Sequence, residues 1–312
     1  MKTYLVTGGA GFIGSHIVAR LVKEGQVKVR VLDNFCTGFR KNLSPYLENG
    51  EIELIEGDLL HPDAVSRAVD GVEIIFHEAA LASVPLSVEN PLKVHETCVS
   101  GTVQLLDAAR KNGVRRVIYA ASSSAYGDTP TTVKKETDLP APISPYGAAK
   151  LAAELYLESF AATYHLETVR LRYFNVFGPR QDPKSPYSAV IPLFITAMKS
   201  GNSPVIFGDG QQSRDFTYVS NIVDANLLAA HAPAAEVSGK VFNIANGKSY
   251  SLLTLVDVLN KILGTHWKPI HKPPRVGDIR ESRADITQAQ ERLKYTPRVG
   301  LMEGLAETVN DY

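Results

Sequence analysis

Tyr146 and Lys150 are separated by Gly147-Ala148-Ala149. On a helix this spacing puts both side chains on one face, about a turn apart. Free tyrosine, with a pKa near 10, is a poor base at neutral pH, but a neighbouring ammonium favours the phenolate. The same spacing also suits a surface pair, so the surrounding residues matter. Upstream, Ser122-Ser123-Ser124-Ala125-Tyr126-Gly127 follows the apolar run Val117-Ile118-Tyr119-Ala120-Ala121. A serine hydroxyl at the end of such a strand can hydrogen-bond a reacting hydroxyl and a tyrosine together, although a plain serine-rich turn reads similarly. There is no G-x-S-x-G elbow, which argues against a nucleophilic serine. A serine, a tyrosine and a lysine so arranged would move a proton to or from a substrate hydroxyl.

A second motif opens the chain. Tyr4-Leu5-Val6 leads to Gly8-Gly9-Ala10-Gly11-Phe12-Ile13-Gly14 and then to an amphipathic stretch from Ser15 to Glu24. This reads as strand, glycine turn and helix, with Gly8, Gly11 and Gly14 allowing a tight turn, close approach of a pyrophosphate and packing of helix on strand. The helix N–H groups and dipole would face the phosphates. A following strand, Val27 to Leu32, ends in Asp33, 19 residues after Gly14, where a ribose-binding carboxylate is expected. An acid here would repel a 2′-phosphate, so NAD is expected over NADP, with Arg40 and Lys41 downstream weighing slightly the other way. An oxidised nicotinamide would add a further positive charge near the tyrosine.

These side chains need elements to position them. Strands are predicted at 3–7, 28–32, 52–56, 73–77, 115–121 and 168–173, and helices at about 13–24, 62–69, 91–112 and 145–164. That alternation predicts a Rossmann-type doubly wound parallel α/β sheet with ligands at the carboxyl ends of its strands. After Tyr173 the chain becomes rich in Gly, Pro and Asp, as in Gly178-Pro179-Arg180-Gln181-Asp182-Pro183. A smaller C-terminal α/β substrate lobe is expected from residues 174–215 and 246–312, with 1–173 and about 216–245 forming the dinucleotide-binding domain and a cleft between them.

Composition excludes several classes. The 312 residues carry 33 Lys+Arg and 33 Asp+Glu, so there is no charge excess to draw nucleic acid or an anionic membrane. No apolar run reaches the roughly 18 residues a membrane span needs. The N-terminus enters a strand at once, so no signal peptide is expected. Cys36 and Cys98 lack metal or redox spacing, and the histidines lack metal-ligand spacing. A reduced, cytoplasmic setting without a bound metal is expected. Leu157, Phe160 and Tyr164 on one helix read as core or subunit contact.

Gly8-x-x-Gly11-x-x-Gly14, Asp33, Gly57-Asp58-Leu59, His77-Glu78-Ala79-Ala80, Ser122, Tyr146-x-x-x-Lys150 and Arg172-Tyr173-Phe174-Asn175-Val176-Phe177-Gly178-Pro179 together resemble the extended short-chain dehydrogenase/reductases. Gly208-Asp209-Gly210, Ser213-Arg214-Asp215-Phe216 and Arg275-Val276-Gly277-Asp278 resemble its nucleotide-sugar 4-epimerases in particular. The resemblance runs nearly end to end. It implies NAD held by Gly8, Gly11, Phe12, Ile13, Gly14, Asp33, Asn34, Asp58, Leu59, Ala79, Ala80, Tyr146, Lys150 and Tyr173. It makes Tyr146 the base for the sugar 4-hydroxyl, Lys150 the residue that holds the nicotinamide ribose and lowers the tyrosine pKa, and Ser122 the orienting serine. It further implies a UDP-sugar site of Ser83, Ser122, Ser123, Ser124, Asn175, Val190, Phe207, Arg214, Arg275, Asp278 and Ser282. Asn175, Arg214 and Arg275 would grip the diphosphate, Arg with a fork that matches phosphate oxygens. Asp278 would take the uridine ribose, and a homodimer is implied through helices near 91–112 and 145–164.

Three sugar classes compete: hexose, N-acetylhexosamine and uronic acid. In Arg280-Glu281-Ser282-Arg283-Ala284-Asp285, Ser282 stands where hexose-only epimerases resemble one another in having tyrosine. A small residue leaves room for an N-acetyl group and excludes the smaller hexose only weakly. UDP-GlcNAc/UDP-GalNAc interconversion through a 4-keto intermediate is therefore expected, with UDP-Glc/UDP-Gal also accepted. Ser83-Val84-Pro85, Ala120-Ala121 and Tyr187-Ser188-Ala189-Val190-Ile191-Pro192 also resemble the hexosamine branch. A uronate needs a buried cation; uronate epimerases resemble one another in an arginine soon after the Ala-Ala, and here Leu81-Ala82-Ser83-Val84-Pro85-Leu86 has none. The alternatives are a UDP-glucose-only or UDP-glucuronate 4-epimerase, or an NAD-sensing protein without chemistry, for which a retained base would serve no purpose. Cys98 departs from the family's usual asparagine, and a thiol is a weak hydrogen-bonding substitute.

Overall fold

The computed structural model describes residues 1–129, 131–183, 189–274 and 280–312. Seven strands form its main sheet: β1 Thr3–Thr7, β2 Lys28–Asp33, β3 Ile52–Glu56, β4 Val72–His77, β5 Arg116–Ser122, β6 Glu167–Tyr173 and β7 Lys240–Ile244. They lie in the order β7-β6-β5-β4-β1-β2-β3, all parallel. The order reverses beside β1, the crevice where such sheets bind ligands. Strands covered on both faces are apolar nearly throughout, and the two-residue period divides them. Tyr4, Val6, Phe76, Ile118 and Leu171 pack under helices Phe12–Glu24 and Val219–His231. Leu5, Ile75, Val117, Tyr119 and Ala121 face Pro62–Val69, Gly101–Lys111 and Pro145–Tyr164. The expected doubly wound sheet is what folds, and residues 216–245 contain helices Val219–His231 and Ala234–Val237 and strand β7.

One predicted helix differs. The stretch expected as 91–112 is Pro91–His95, a π-helical turn over Glu96–Ser100, and Gly101–Lys111. Thr102 Oγ1 donates to the Cys98 carbonyl at 2.7 Å, and a Cβ on Gly101 would meet Leu59 Cβ at 2.9 Å. The widened turn pushes Cys98 into a small apolar cluster with Leu81, Val94, Val99 and Ala149, against Tyr146. π turns of this kind occur frequently at functional sites.

Beyond Tyr173 a second, four-stranded sheet forms from Ser249–Ser251, Ser213–Asp215, Glu281–Ala284 and, from the first half of the chain, Val133–Lys134. Helices Val190–Lys199, Leu252–Leu263 and Leu301–Asp311 build a separate apolar core around Phe194, Leu255, Leu259 and Leu305. Among the described residues no helix is long and apolar enough to cross a membrane.

Candidate active site

The glycine turn is built as its residue types require. Gly8 has φ +69°, and a Cβ there would stand 2.7 Å from the Ala79 backbone. A Cβ on Gly14 would sit 2.2 Å from the Gly8 carbonyl oxygen. Gly11 is the N-cap of Phe12–Glu24 without a side-chain cap, so the first helical N–H groups are left for a ligand. This cradle fits a dinucleotide pyrophosphate. Asp33 ends β2 buried, and its two carboxylate oxygens accept the Ala10 and Phe35 N–H groups, each at 2.8 Å. Burial raises its pKa and those two hydrogen bonds oppose the rise. Asp33 thus ties the glycine loop to the sheet with one set of lone pairs and has others that could accept a ribose hydroxyl. Asn34 Nδ2 donates to Asp58 Oδ2 at 2.6 Å, and Leu59 is buried behind it. Ala79 and Ala80 follow β4 at the same edge, and Phe12 and Ile13 are half-buried in the helix's first turn.

Pro145–Tyr164 starts where Ser144 Oγ accepts the Gly147 N–H at 3.1 Å, with Pro145 in the first turn. Pro fits there because its missing N–H has no helical partner. Tyr146 and Lys150 follow on the face turned to the sheet. Ser122 closes β5, opposite Tyr173 in the register of β6. Its Oγ accepts the Ser124 hydroxyl at 2.8 Å and the Ser124 N–H at 3.2 Å, and its hydroxyl is near enough to Tyr146 to lower the phenol's pKa. Ser122 is therefore the serine that meets the tyrosine; Ser123 and Ser124 form the turn beyond it.

Lys150 differs from the simplest expectation. Its ammonium donates to the Ala120 carbonyl at 2.8 Å and lies 4.8 Å from the centre of the Tyr119 ring. Burial lowers its pKa, and nearby Cys98, Glu78 and Glu154 act in the opposite sense. Burial, then Cys98, pushes the Tyr146 phenol above its ordinary value, while the Ser122 hydrogen bond pulls it down. Desolvation outweighs the help expected from the lysine. His77, at the end of β4, bridges Thr7 Oγ1 (2.7 Å) and Thr102 Oγ1 (2.9 Å); burial drops its pKa to about 3 and keeps it neutral.

In the four-stranded sheet, Arg214 stands between Tyr250 and Ser282, so Arg214 and Ser282 share one face. Asn175, with φ +33°, donates from Nδ2 to the Asp215 carbonyl at 3.1 Å. Phe207 ends strand Val205–Phe207, and Val190 opens helix Val190–Lys199. Ser83 caps helix Val84–Glu89, its Oγ accepting the Leu86 N–H at 3.1 Å. Arg275, Asp278, Tyr187 and Ser188 lie outside the described residues.

Four side chains without an assigned role from sequence, Glu78, Asn226, Glu154 and Arg172, are buried or half-buried beside the predicted residues. Glu78 Oε1 accepts the Tyr173 hydroxyl at 2.8 Å, and Asn226 donates to that same hydroxyl at 2.8 Å. Burial lifts Glu78 to about 7, against the Tyr173 hydrogen bond and Lys150. Glu154 and Arg172 form a buried ion pair at 2.7 Å. The one signal for Glu154 was its position four residues past Lys150; its partner lies on β6, directly under the helix.

Comparisons with known proteins agree with this geometry. The profile of the NAD dependent epimerase/dehydratase family matches residues 4–245. The UDP-glucose 4-epimerase of Mycolicibacterium smegmatis is 39% identical over 311 residues, covering 99% of this chain and 97% of that protein. The solved UDP-N-acetylglucosamine 4-epimerase of Methanobrevibacter ruminantium, in complex with UDP-N-acetylmuramic acid, superposes with a TM-score of 0.93 at 42% identity, covering 99% of this chain and 97% of that one. The Thermus thermophilus UDP-glucose 4-epimerase, solved with NAD, has a TM-score of 0.88 at 34% identity, covering 99% and 98%. With the dinucleotide cradle, the Ser122–Tyr146–Lys150 cluster and these matches, the chain belongs to the NAD dependent epimerase/dehydratase family.

Proposed function

We propose that this protein is an NAD-dependent UDP-sugar 4-epimerase that interconverts UDP-GlcNAc and UDP-GalNAc and also accepts UDP-Glc and UDP-Gal. The seven-stranded half holds NAD and the smaller lobe holds the UDP-sugar. The observation that carries the hexosamine reading is the register that sets Ser282 beside Arg214. If Arg214 grips the diphosphate, the sugar beyond it meets a serine, and an N-acetyl group has room there. Bound NAD supplies reversible two-electron chemistry at C4. Tyr146 holds the O4 proton as it leaves and returns, with Ser122 aligning the hydroxyl. Lys150 supplies the fixed positive charge in the buried pocket, where charges act more strongly than in water. Asn175 and Arg214 restrain the nucleotide, together with Arg275 and Asp278.

A homodimer is part of this reading. Val88, Leu92, Leu155 and Tyr156 are exposed by 66%, 75%, 59% and 45% on helices that pack together, an apolar face of the kind that marks an interface. A cytoplasmic setting goes with the free, exposed thiol of Cys36.

The test is proton NMR of the purified protein with UDP-GlcNAc or UDP-Glc and no added cofactor. UDP-GalNAc should form faster than UDP-Gal, and Ser282→Tyr should suppress the first conversion by at least about tenfold while sparing the second. Conversion of UDP-Glc alone would refute the hexosamine reading. Conversion of neither sugar, or near-normal turnover by Tyr146→Phe, would refute the assignment.

A further inference from the structure

We propose that Arg172 and Glu154 are a positioning pair, which locks the Tyr146 helix to the Ser122 turn and balances the charge beside Lys150. The inference rests on Tyr146 being the base. Tyr146, Lys150 and Glu154 recur at four-residue intervals along one helix, so they share a face. Arg172 grips the last of them with a fork: Nε lies 3.0 and 3.1 Å from the two carboxylate oxygens, and Nη2 is 2.7 Å from Oε2. The two side chains are 4% and 1% exposed. The guanidinium also stacks 4.6 Å from the centre of the Tyr126 ring. Tyr126 closes the turn that starts at Ser122, and its hydroxyl donates to Asn243 Oδ1 on β7 at 2.6 Å. Arg172 pairs with Ala121 in the register and precedes Tyr173. One guanidinium therefore joins the helix of Tyr146 and Lys150, the serine turn and the cofactor-side end of β6.

Among the described residues, His77 at the end of β4 faces Lys150 as a neutral imidazole. Tyr146 and Lys150 face Cys98 from the π turn, Glu78 from the loop after β4 and, for Lys150, Glu154 on its own helix. Tyr119 presents its phenol from β5. On the other side, Arg172 faces Glu154 and Tyr126, with Glu136 beyond. An unpaired Glu154 would put a bare carboxylate about 6 Å along the helix from Lys150 and about 12 Å from Tyr146. A unit charge at 12 Å, at an effective dielectric near 20, shifts a titration by about one pH unit.

The experiment follows kcat against pH for the NAD-loaded protein, with tyrosinate absorbance of each variant measured against its Tyr146→Phe counterpart. Glu154→Gln leaves the positive charge and should move the acid limb and the tyrosinate midpoint down by up to about one pH unit. Arg172→Gln should move both up by a similar amount, and Arg172→Gln with Glu154→Gln should return both to within about 0.3 of wild type. Arg172→Lys keeps the charge and loses the fork, so Tm should fall with the limb in place. If Arg172→Gln does not fold, Glu154→Gln and the double variant still decide. A folded, NAD-retaining Glu154→Gln whose limb and tyrosinate midpoint match wild type would overturn the pair's role, whatever its Tm. Should Tyr146→Phe turn over normally, the base assignment fails first and this inference fails with it; an inactive Tyr146→Phe beside unmoved profiles would remove this inference alone.

Discussion

Three glycines with different surroundings separate backbone strain from crowding. Gly50 has φ +69° and nothing within 4 Å of a would-be Cβ; Gly14 has no positive φ but would place its Cβ 2.2 Å from the Gly8 carbonyl; Gly8 combines φ +69° with 2.7 Å to the Ala79 backbone. Gly50→Ala should then lose about 1–2 kcal/mol, the left-handed cost alone. Gly14→Ala should lose about 1–3 kcal/mol from overpacking against backbone, which no rotamer relieves, less up to about 1 kcal/mol of helix propensity. Gly8→Ala carries both costs, about 2–5 kcal/mol. At roughly 2.1 cal/mol/K per residue, 312 residues give about 0.65 kcal/mol/K. Each kcal/mol is then about 1.5 °C, so Gly8→Ala should melt about 3–8 °C early and Gly50→Ala about 1.5–3 °C early. The decisive assay counts NAD released on acid denaturation of the purified proteins. Gly8→Ala and Gly14→Ala displace the amides that face the pyrophosphate and should be depleted of NAD, while Gly50→Ala should match wild type. Full NAD content in Gly8→Ala and Gly14→Ala, with melting like Gly50→Ala, would refute the cradle.

Two further predictions concern acid–base linkage and assembly. Burial lifts Glu78 from 4.5 to about 7, so between those values the folded protein keeps a proton that the unfolded chain has lost, and stability falls as pH rises through the window. Glu78→Gln mimics the protonated form; in urea titrations its advantage over wild type should grow from near zero at pH 4 to at most about 3 kcal/mol at pH 8, and a constant offset would count against the buried acid. Leu155→Glu, placing a charge on the exposed apolar face, should convert the proposed dimer to monomer in sedimentation velocity, and an unchanged mass would count against that interface.

Much was legible without coordinates because it is local. The strand–glycine–helix turn follows from backbone sterics within a dozen residues, and the alternation of short apolar runs with amphipathic ones dictates the doubly wound sheet. The helix carrying Tyr146 and Lys150 is predicted and found at Pro145–Tyr164. The π turn at Glu96–Ser100 was not legible, since one extra residue in a turn leaves the helical period nearly intact.

Contacts between elements far apart in the chain were decided only by folding. Which serine lies nearest Tyr146 depends on where β5 ends against the helix; the resemblance pointed to Ser122, and Ser122 is the serine whose hydroxyl lowers the Tyr146 pKa. Lys150 docks on the Ala120 carbonyl, because a buried ammonium takes the nearest acceptor. Ser282 meets Arg214 across 68 residues, and Arg172 meets Glu154 only because β6 lies under the helix. Residue types and short spacings determined what chemistry the chain can carry; the register of its strands decided which groups are close enough to share a charge, since Coulomb and hydrogen-bond energies depend on separations that sequence distance does not encode.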